Sequence, residues 1–189
     1  KRLPVQNFHN LYVKRNLIIK YAPSTLEKET SMTGRLLDLA CGKGGDLSKW
    51  RDGKYKEVVS MDIDKPCINY AMEFFKKYPQ PKPVVYYLWA DTSKLIFPDQ
   101  LAGLNDLQQK KMAEWIPDKY KFNVVSCQFC IHYYFENELK LRTLLQNVTD
   151  NLEIGGHFIG TCFDGSKIFN HFKDKKVKSF EGTIDNNVI

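Results

Sequence analysis

No stretch of this chain approaches the roughly 18 consecutive apolar residues that a membrane-spanning helix needs, and no internal repeat or low-complexity tract occurs. The pattern G-x-x-x-x-G-K-[ST] is also missing, which excludes a P-loop. The opening Lys1-Arg2-Leu3-Pro4 is followed by no apolar stretch with a cleavage site, so it does not read as a signal peptide. Cysteine is sparse: Cys41, Cys67, Cys127, Cys130 and Cys162 are odd in number and show no disulfide framework. A reducing, intracellular protein is expected. Cys127-x-x-Cys130 is half a zinc motif, but it has no second ligand pair and lies in an apolar run, so no metal is expected.

What is present suits one soluble domain. The chain has 189 residues, 43% hydrophobic and 26% charged, enough to bury a core without staples. The formal charge of +6 is a mild basic excess, compatible with an anionic substrate or a nucleic acid.

Helical spacing runs from Phe8 to Tyr21 through Leu11, Leu17 and Ile18. Pro23-Ser24 and the polar run to Gly34 read as a linker. Strands are expected at Arg35–Ala40, Glu57–Asp62, Val84–Ala90, Phe122–Gln128 and His157–Cys162. Between them come a helix from near Asp46, and one from Asp64 to about Lys77 with Asp64 as N-cap and Pro66 in the first turn. A long helix over Glu136–Leu152 should be stopped by Gly155-Gly156. Lys94–Asn105 reads as an irregular insertion, Asp106–Trp115 as a short helix, and Ser166–Lys175 as helical. Alternating strands and helices predict an α/β fold, a doubly wound, mainly parallel sheet. Such sheets bind ligands beyond the carboxyl ends of their strands.

The informative residues lie at those ends. Asp38-Leu39-Ala40-Cys41-Gly42-Lys43-Gly44-Gly45-Asp46 follows the first strand; its glycines bring backbone close to a ligand. Asp62 ends the second strand at the spacing of a ribose-binding acid. Asp91 ends the third and could hold an adenine amino group. Gln128 ends the fourth, followed by Phe129, His132 and Tyr133. A dinucleotide such as NAD competes for this pattern. However, the carboxylates of Asp38 and Asp46 flank the loop, and a pyrophosphate would be repelled by an acid at that helix N-terminus. A sulfonium cofactor with an α-amino group suits them better. Each residue also has a plainer reading. Asp46 could be a helix cap, Asp62 could cap the turn before Pro66, and Asp91-Thr92-Ser93 could be an Asx-turn. Lys43 could be a solvated lysine, and His132 and Tyr133 half-buried loop residues.

Across these segments the chain resembles the mRNA cap (guanine-N7) methyltransferases. The resemblance rests on Asn10-Leu11-Tyr12-Val13-Lys14, Leu37–Trp50, Met61-Asp62-Ile63 and Ala90-Asp91-Thr92-Ser93-Lys94. It also rests on Ser126-Cys127-Gln128-Phe129-Cys130-Ile131-His132-Tyr133-Tyr134-Phe135-Glu136, and on Gly155-Gly156 with Phe158-Ile159-Gly160-Thr161. It spans roughly residues 8–168. It implies a class I (Rossmann-like) S-adenosyl-L-methionine-dependent methyltransferase with capped mRNA as substrate. Lys14, Ala40, Gly42, Asp46, Asp62, Asp91, Gln128 and Tyr133 would contact the cofactor. Asn10, Leu11, Lys43, Lys49, Phe129, His132 and Tyr133 would line the cap pocket. No general base is implied, only positioning by His132, Tyr133 and Phe129. Ala40 stands where the family usually has glycine, and Tyr12 where it has tryptophan.

A C-terminal glutamate and tyrosine of the family find no match, nor does the antiparallel hairpin that closes its sheet. The expectation is one domain over 1–189, with helix and linker to 34, an α/β core over 35–175 and an incomplete C-terminal part. Asp164-Gly165-Ser166-Lys167 resembles capping enzymes of large DNA viruses, which implies a nuclear protein if cellular and one of the host cytoplasm or virion if viral. Partners implied are other capping-enzyme domains or a stimulatory subunit, and no membrane. The alternatives are a methyltransferase for another RNA or a small molecule, and a non-catalytic cap-binding or stimulatory subunit.

Overall fold

The computed structural model describes residues 4–26, 28, 30–96, 105–107, 109–110, 121–175, 183–184 and 187–188. Five strands form one parallel sheet: β1 (Thr33–Asp38), β2 (Tyr55–Asp62), β3 (Val84–Trp89), β4 (Phe122–Gln128) and β5 (Leu152–Thr161). Their order is β3-β2-β1-β4-β5. The chain walks outward from β1 to β3 and then jumps back across β1 to β4. The β1/β4 gap is therefore the switch point at which such sheets open a crevice.

The sheet is buried from both sides, as a parallel sheet must be. Successive residues of a strand point to opposite faces, so the doublets Leu36-Leu37, Val58-Val59 and Val124-Val125 each feed two cores. Leu37, Val59 and Val125 meet Leu144 and Val148 of α6 (Glu138–Asn151). Leu36, Val58 and Val124 meet Ile18 of α2 (Arg15–Lys20) and Leu47 and Trp50 of α4 (Leu47–Asp52). α5 (Lys65–Lys77) packs Ile68 and Ala71 on Cys41 and Tyr87.

The N-terminal helix is α-helical over α1 (Pro4–Phe8), π-helical over His9–Lys14, then α-helical again through α2. It is pinned by the Tyr55 hydroxyl, which donates to Ile18 O at 3.0 Å, and by Arg15 paired with Asp52 at 3.0 Å. The expected linker is corrected. Pro23–Leu26 is a short helix, α3, with Pro23 and Ser24 buried. The Ser24 hydroxyl donates to Gly53 O at 2.6 Å, which ties the segment down.

The long helix is also corrected. Ile131–Glu136 is a 3₁₀ turn, and α6 starts only after Asn137, whose side chain accepts the Lys140 N–H at 2.9 Å. α6 ends at Asn151, and Gly155-Gly156 lies within β5 instead of stopping the helix. A side chain at Gly156 would come within 2.9 Å of Asn123 O, so glycine lets β5 close on β4. α7 (Gly165–Lys175) follows. A separate antiparallel pair joins β6 (Thr183–Ile184) to β7 (Asn187–Val188), outside the main sheet. Most of the insertion and short helix expected over Lys94–Trp115 lies outside the described residues. No described helix is long and apolar enough to cross a membrane.

Candidate functional site

The glycine loop leaves β1 still laced to its neighbours: Leu39 N–H donates to Ser126 O at 3.0 Å and Cys41 N–H to Met61 O at 2.9 Å. Gly42 and Gly44 then take φ of +52° and +73°, a region that strains other residues. Asp62 fastens the loop. One carboxylate oxygen accepts the Gly42 N–H at 2.7 Å, the other the Asp64 N–H at 2.8 Å. Part of the plain reading, a cap on the following turn, therefore holds alongside a position at the ligand crevice.

A cavity of about 260 Å³ opens beside it, lined among others by Ala40, Asp62, Ile63, Asp91, Tyr133 and Tyr134. The wall behind it is one polar network. Thr92 donates to Leu39 O at 3.1 Å and bonds the Tyr134 hydroxyl, while Asn147 of α6 donates to Thr92 O at 3.0 Å and Lys94 O at 2.8 Å. The Asn147 carbonyl oxygen accepts the Ile96 N–H at 3.2 Å. Asp91 does form the Asx-turn, accepting from Ser93 N–H at 3.1 Å and the Ser93 hydroxyl at 2.6 Å.

On the loop's other side Asp46 is buried between two lysines, Lys14 at 2.8 Å from the π-helical segment and Lys49 at 3.0 Å from α4. It occupies the N-cap position of α4 without a side-chain cap hydrogen bond. Lys49, expected to line the cap pocket, is a correction: its side chain is 2% exposed and its ammonium also donates to Gly45 O at 2.9 Å, so it braces the loop from inside. Lys43 does face outward, its ammonium 5.7 Å from the Tyr70 ring. Gln128 is turned into the sheet, donating to Ser126 Oγ at 3.2 Å and accepting from Thr161 Oγ1 at 2.9 Å. Cys127 and Cys130 are buried with sulfurs 2.6 Å apart. Among the described residues no group of three or more His, Cys, Asp or Glu could hold a metal ion.

Asp38 is fully buried; one oxygen accepts the Ala40 N–H at 3.4 Å, and the other finds no hydrogen-bond partner among the described residues. Burial first, and the nearby Asp46 charge second, raise its pKa above the ordinary 3.8. A raised carboxyl pKa favours folding while the group stays protonated. Its stabilisation is complete below the unfolded value and fades as pH rises through the folded one. The thermal midpoint should therefore fall between weakly acidic and weakly alkaline pH, and Asp38→Asn should flatten that slope. A midpoint–pH curve that Asp38→Asn leaves unchanged would show that Asp38 does not set it.

Aromatic rings form a row at the ends of β4 and β5. Phe129, at φ +58°, packs against His9 (centroids 4.1 Å) and Phe163 (5.2 Å). His132 contacts Tyr133 at 4.2 Å and Phe163 at 5.8 Å. Tyr133 and Phe163 are 70% and 61% exposed, which leaves flat faces open. Asn10 and Leu11 lie on the π-helical segment next to His9. His9, Phe163 and Asn147 were not among the residues expected from sequence. Asn147 alone left a signal, since it falls on the same helical stripe as Leu144 and Val148.

Residues 2–188 match the mRNA (guanine-N(7))-methyltransferase domain. The mRNA cap guanine-N(7) methyltransferase of Schizosaccharomyces pombe is 33% identical over 90% of this chain and 42% of its own length. That of Caenorhabditis elegans is 37% identical over 71% of this chain and 32% of its own. A probable mRNA-capping enzyme of Acanthamoeba polyphaga mimivirus is 29% identical over 88% and 14%. The chain thus spans less than half the length of these relatives. In fold it is similar to an S-adenosylmethionine-dependent methyltransferase from Clostridium acetobutylicum (TM-score 0.56, 18% identity, 96% of this chain and 64% of that one). It is likewise similar to the N-methyltransferase NodS of Bradyrhizobium japonicum in complex with S-adenosyl-L-homocysteine (0.51, 12%, 80% and 61%). On its sequence, this chain belongs to the mRNA (guanine-N7)-methyltransferase family.

Proposed function

We propose that the domain transfers a methyl group from S-adenosyl-L-methionine to N7 of the guanine cap of mRNA. The observation that carries this reading is the meeting, at one crevice, of an acid-lined cavity and an open row of aromatic rings. Relatives named for that activity and the shared fold support it. The residues fit such a cofactor. Asp62 and Asp91 face the cavity where a nucleoside would offer hydroxyl and amino donors. Lys14 and Asp46 suit a zwitterionic amino-acid end, and the unpartnered oxygen of Asp38 suits a nearby positive charge.

When bound, the cofactor supplies a methyl group on a positively charged sulfur, already activated for transfer. Guanine N7 carries a free lone pair, so no side chain has to take a proton. The chain's contribution is to hold the two partners in line at close range, which alone is worth several powers of ten. Phe129, His132 and Tyr133 would hold the base by stacking and hydrogen bonding. Lys43 would face the triphosphate. Asn10 and Leu11 would close the N-terminal side, and Gln128 would act from behind, through Thr161 and Ser126. The substrate is capped RNA inside the cell, and the matched mimivirus relative suggests other capping-enzyme domains as partners.

The test is transfer of labelled methyl to GpppN-RNA. His132→Ala should raise KM for capped RNA about 10-fold, the loss of one modest contact, and leave S-adenosylhomocysteine affinity unchanged. Label on uncapped but not on capped RNA would overturn the proposal, as would calorimetry showing no cofactor binding.

A further inference from the structure

The crevice leaves α5 and the free edge of β3 unused, yet this side of the molecule is where cations and aromatic rings meet most often. Four of the five cation–ring pairs among the described residues surround α5. They are Lys43 over Tyr70 at 5.7 Å, Lys65 over Trp89 at 4.9 Å, Lys82 over Phe75 at 4.2 Å and Arg51 over Tyr78 at 5.4 Å. Between α5 and β3 lies a groove of about 600 Å³. Its described walls carry Phe75, Tyr86, Tyr87 and Trp89 as rings, Asn69 and Asn105 as amides, Lys65 and Lys76 as cations, and no carboxylate. Glu73 lies on the same helix but is paired with Lys76 at 2.6 Å.

The groove adjoins the cavity already described. The Trp89 indole N–H donates to the carbonyl of Ile63 at 2.9 Å, and Ile63 lines that cavity. Lys43, on the glycine loop, reaches α5 at Tyr70, on a different face of the helix from the groove's lining residues. α5 extends the groove for about 20 Å at 1.5 Å per residue. Rings that can stack on any base, interleaved with lysines that can follow a backbone, are how proteins hold single-stranded nucleic acid without reading its sequence.

We propose that the α5–β3 groove is a track for the single-stranded RNA that follows the cap. This rests on the reading that the crevice takes capped RNA, because it is that substrate which brings a chain to the Ile63–Trp89 boundary between cavity and groove. Bases would stack on the exposed Trp89 and the half-buried Tyr86 and Phe75, with the buried Tyr87 forming the floor, and phosphates would pass Lys65 and Lys76. Affinity should then grow with RNA length, while the chemistry at the crevice is indifferent to it.

The experiment measures binding of labelled 5′-triphosphate oligoribonucleotides, a dinucleotide and a decanucleotide, to the full chain across a salt series. The decanucleotide should bind about 10-fold or more tightly. Changing Lys65→Glu together with Lys76→Glu should abolish that preference and reduce the salt slope by about 1.4, at roughly 0.7 per phosphate contact. Dinucleotide binding and methyl transfer to a cap dinucleotide should not change. A control with the same charge change on α7, Lys167→Glu with Lys173→Glu, should keep the preference. Photo-crosslinks from thiouridine in the decanucleotide should fall on β3 and α5.

No length preference in the unaltered chain, equal losses in both double variants, or crosslinks confined to other elements would overturn the track. A groove that receives a peptide instead would give the first of these results. Failure of methyl transfer to a cap dinucleotide, with the length preference intact, would remove the proposed activity and leave RNA binding in this groove standing.

Discussion

Asp62→Ala should weaken S-adenosylhomocysteine binding by about 100-fold, or about 2.8 kcal/mol at 1.4 kcal/mol per decade. Two losses combine in that figure. The first is a carboxylate facing the cavity, where it is placed to accept ribose hydroxyls. The second is internal, since the same carboxylate holds the Gly42 and Asp64 amides at 2.7 and 2.8 Å. Charged acceptors of this kind are worth about 1.5–3 kcal/mol each when removal leaves the donor unpaired. Without them the glycine loop is no longer fixed against the β2–α5 turn, and the ligand must order it. Asp62→Asn keeps one carbonyl acceptor and should fall between the two. Calorimetry decides: an unchanged dissociation constant with a lowered melting temperature would make Asp62 a structural residue only.

Asn147→Leu should lower the thermal midpoint by about 10 °C. The side chain is fully buried and serves three backbone groups of the segment after β3: Thr92 O, Lys94 O and Ile96 N–H. Leucine fills the same space and satisfies none of them. Each stranded group costs about 1–3 kcal/mol, so a loss near 3 kcal/mol is a low estimate after water reaches some of them. In a chain of this size each kcal/mol shifts the midpoint by about 2–4 °C. Cofactor affinity should fall as well, because Thr92 joins β1 to Tyr134 and Asp91 precedes it directly. Asn147→Asp retains only the acceptor and should also destabilise. A midpoint within 2 °C of the parent, measured by scanning calorimetry, would show that water replaces the amide without loss.

All five strands of the main sheet could be read from the sequence, for a physical reason. Strands buried on both faces need no alternation and so appear as short apolar, β-branched runs between turn residues. That Asp62, Asp91 and the glycine loop meet at one cavity could be expected because a doubly wound sheet gathers its strand ends along one edge. Lys49 was misplaced because an ion pair is a property of three dimensions. A lysine's apolar stem can be buried wherever a carboxylate waits, and nothing in Asp46-Leu47-Ser48-Lys49 announces it. The early start of β5 was missed because two glycines after a helix resemble a stop signal, whereas here they lie within the strand and serve the close approach of two strands. His9 and Phe163 are invisible one at a time, since what matters is that both touch Phe129.

The π-helical segment His9–Lys14 has a consequence for how this protein tolerates change. A π turn holds one residue more than the α-helix around it. That extra residue sets the phase between two halves of one rod: the part anchored by Arg15 and Ile18, and the part that presents His9 to Phe129. Deleting a single residue there would let the rod relax to ordinary pitch and swing everything before it by about 100° around the axis. His9 and Asn10 would leave the aromatic row while the anchor stayed in place. The number of residues between Phe8 and Arg15 is thus as much a part of the crevice as their identity, and a deletion there does damage that no single substitution reproduces.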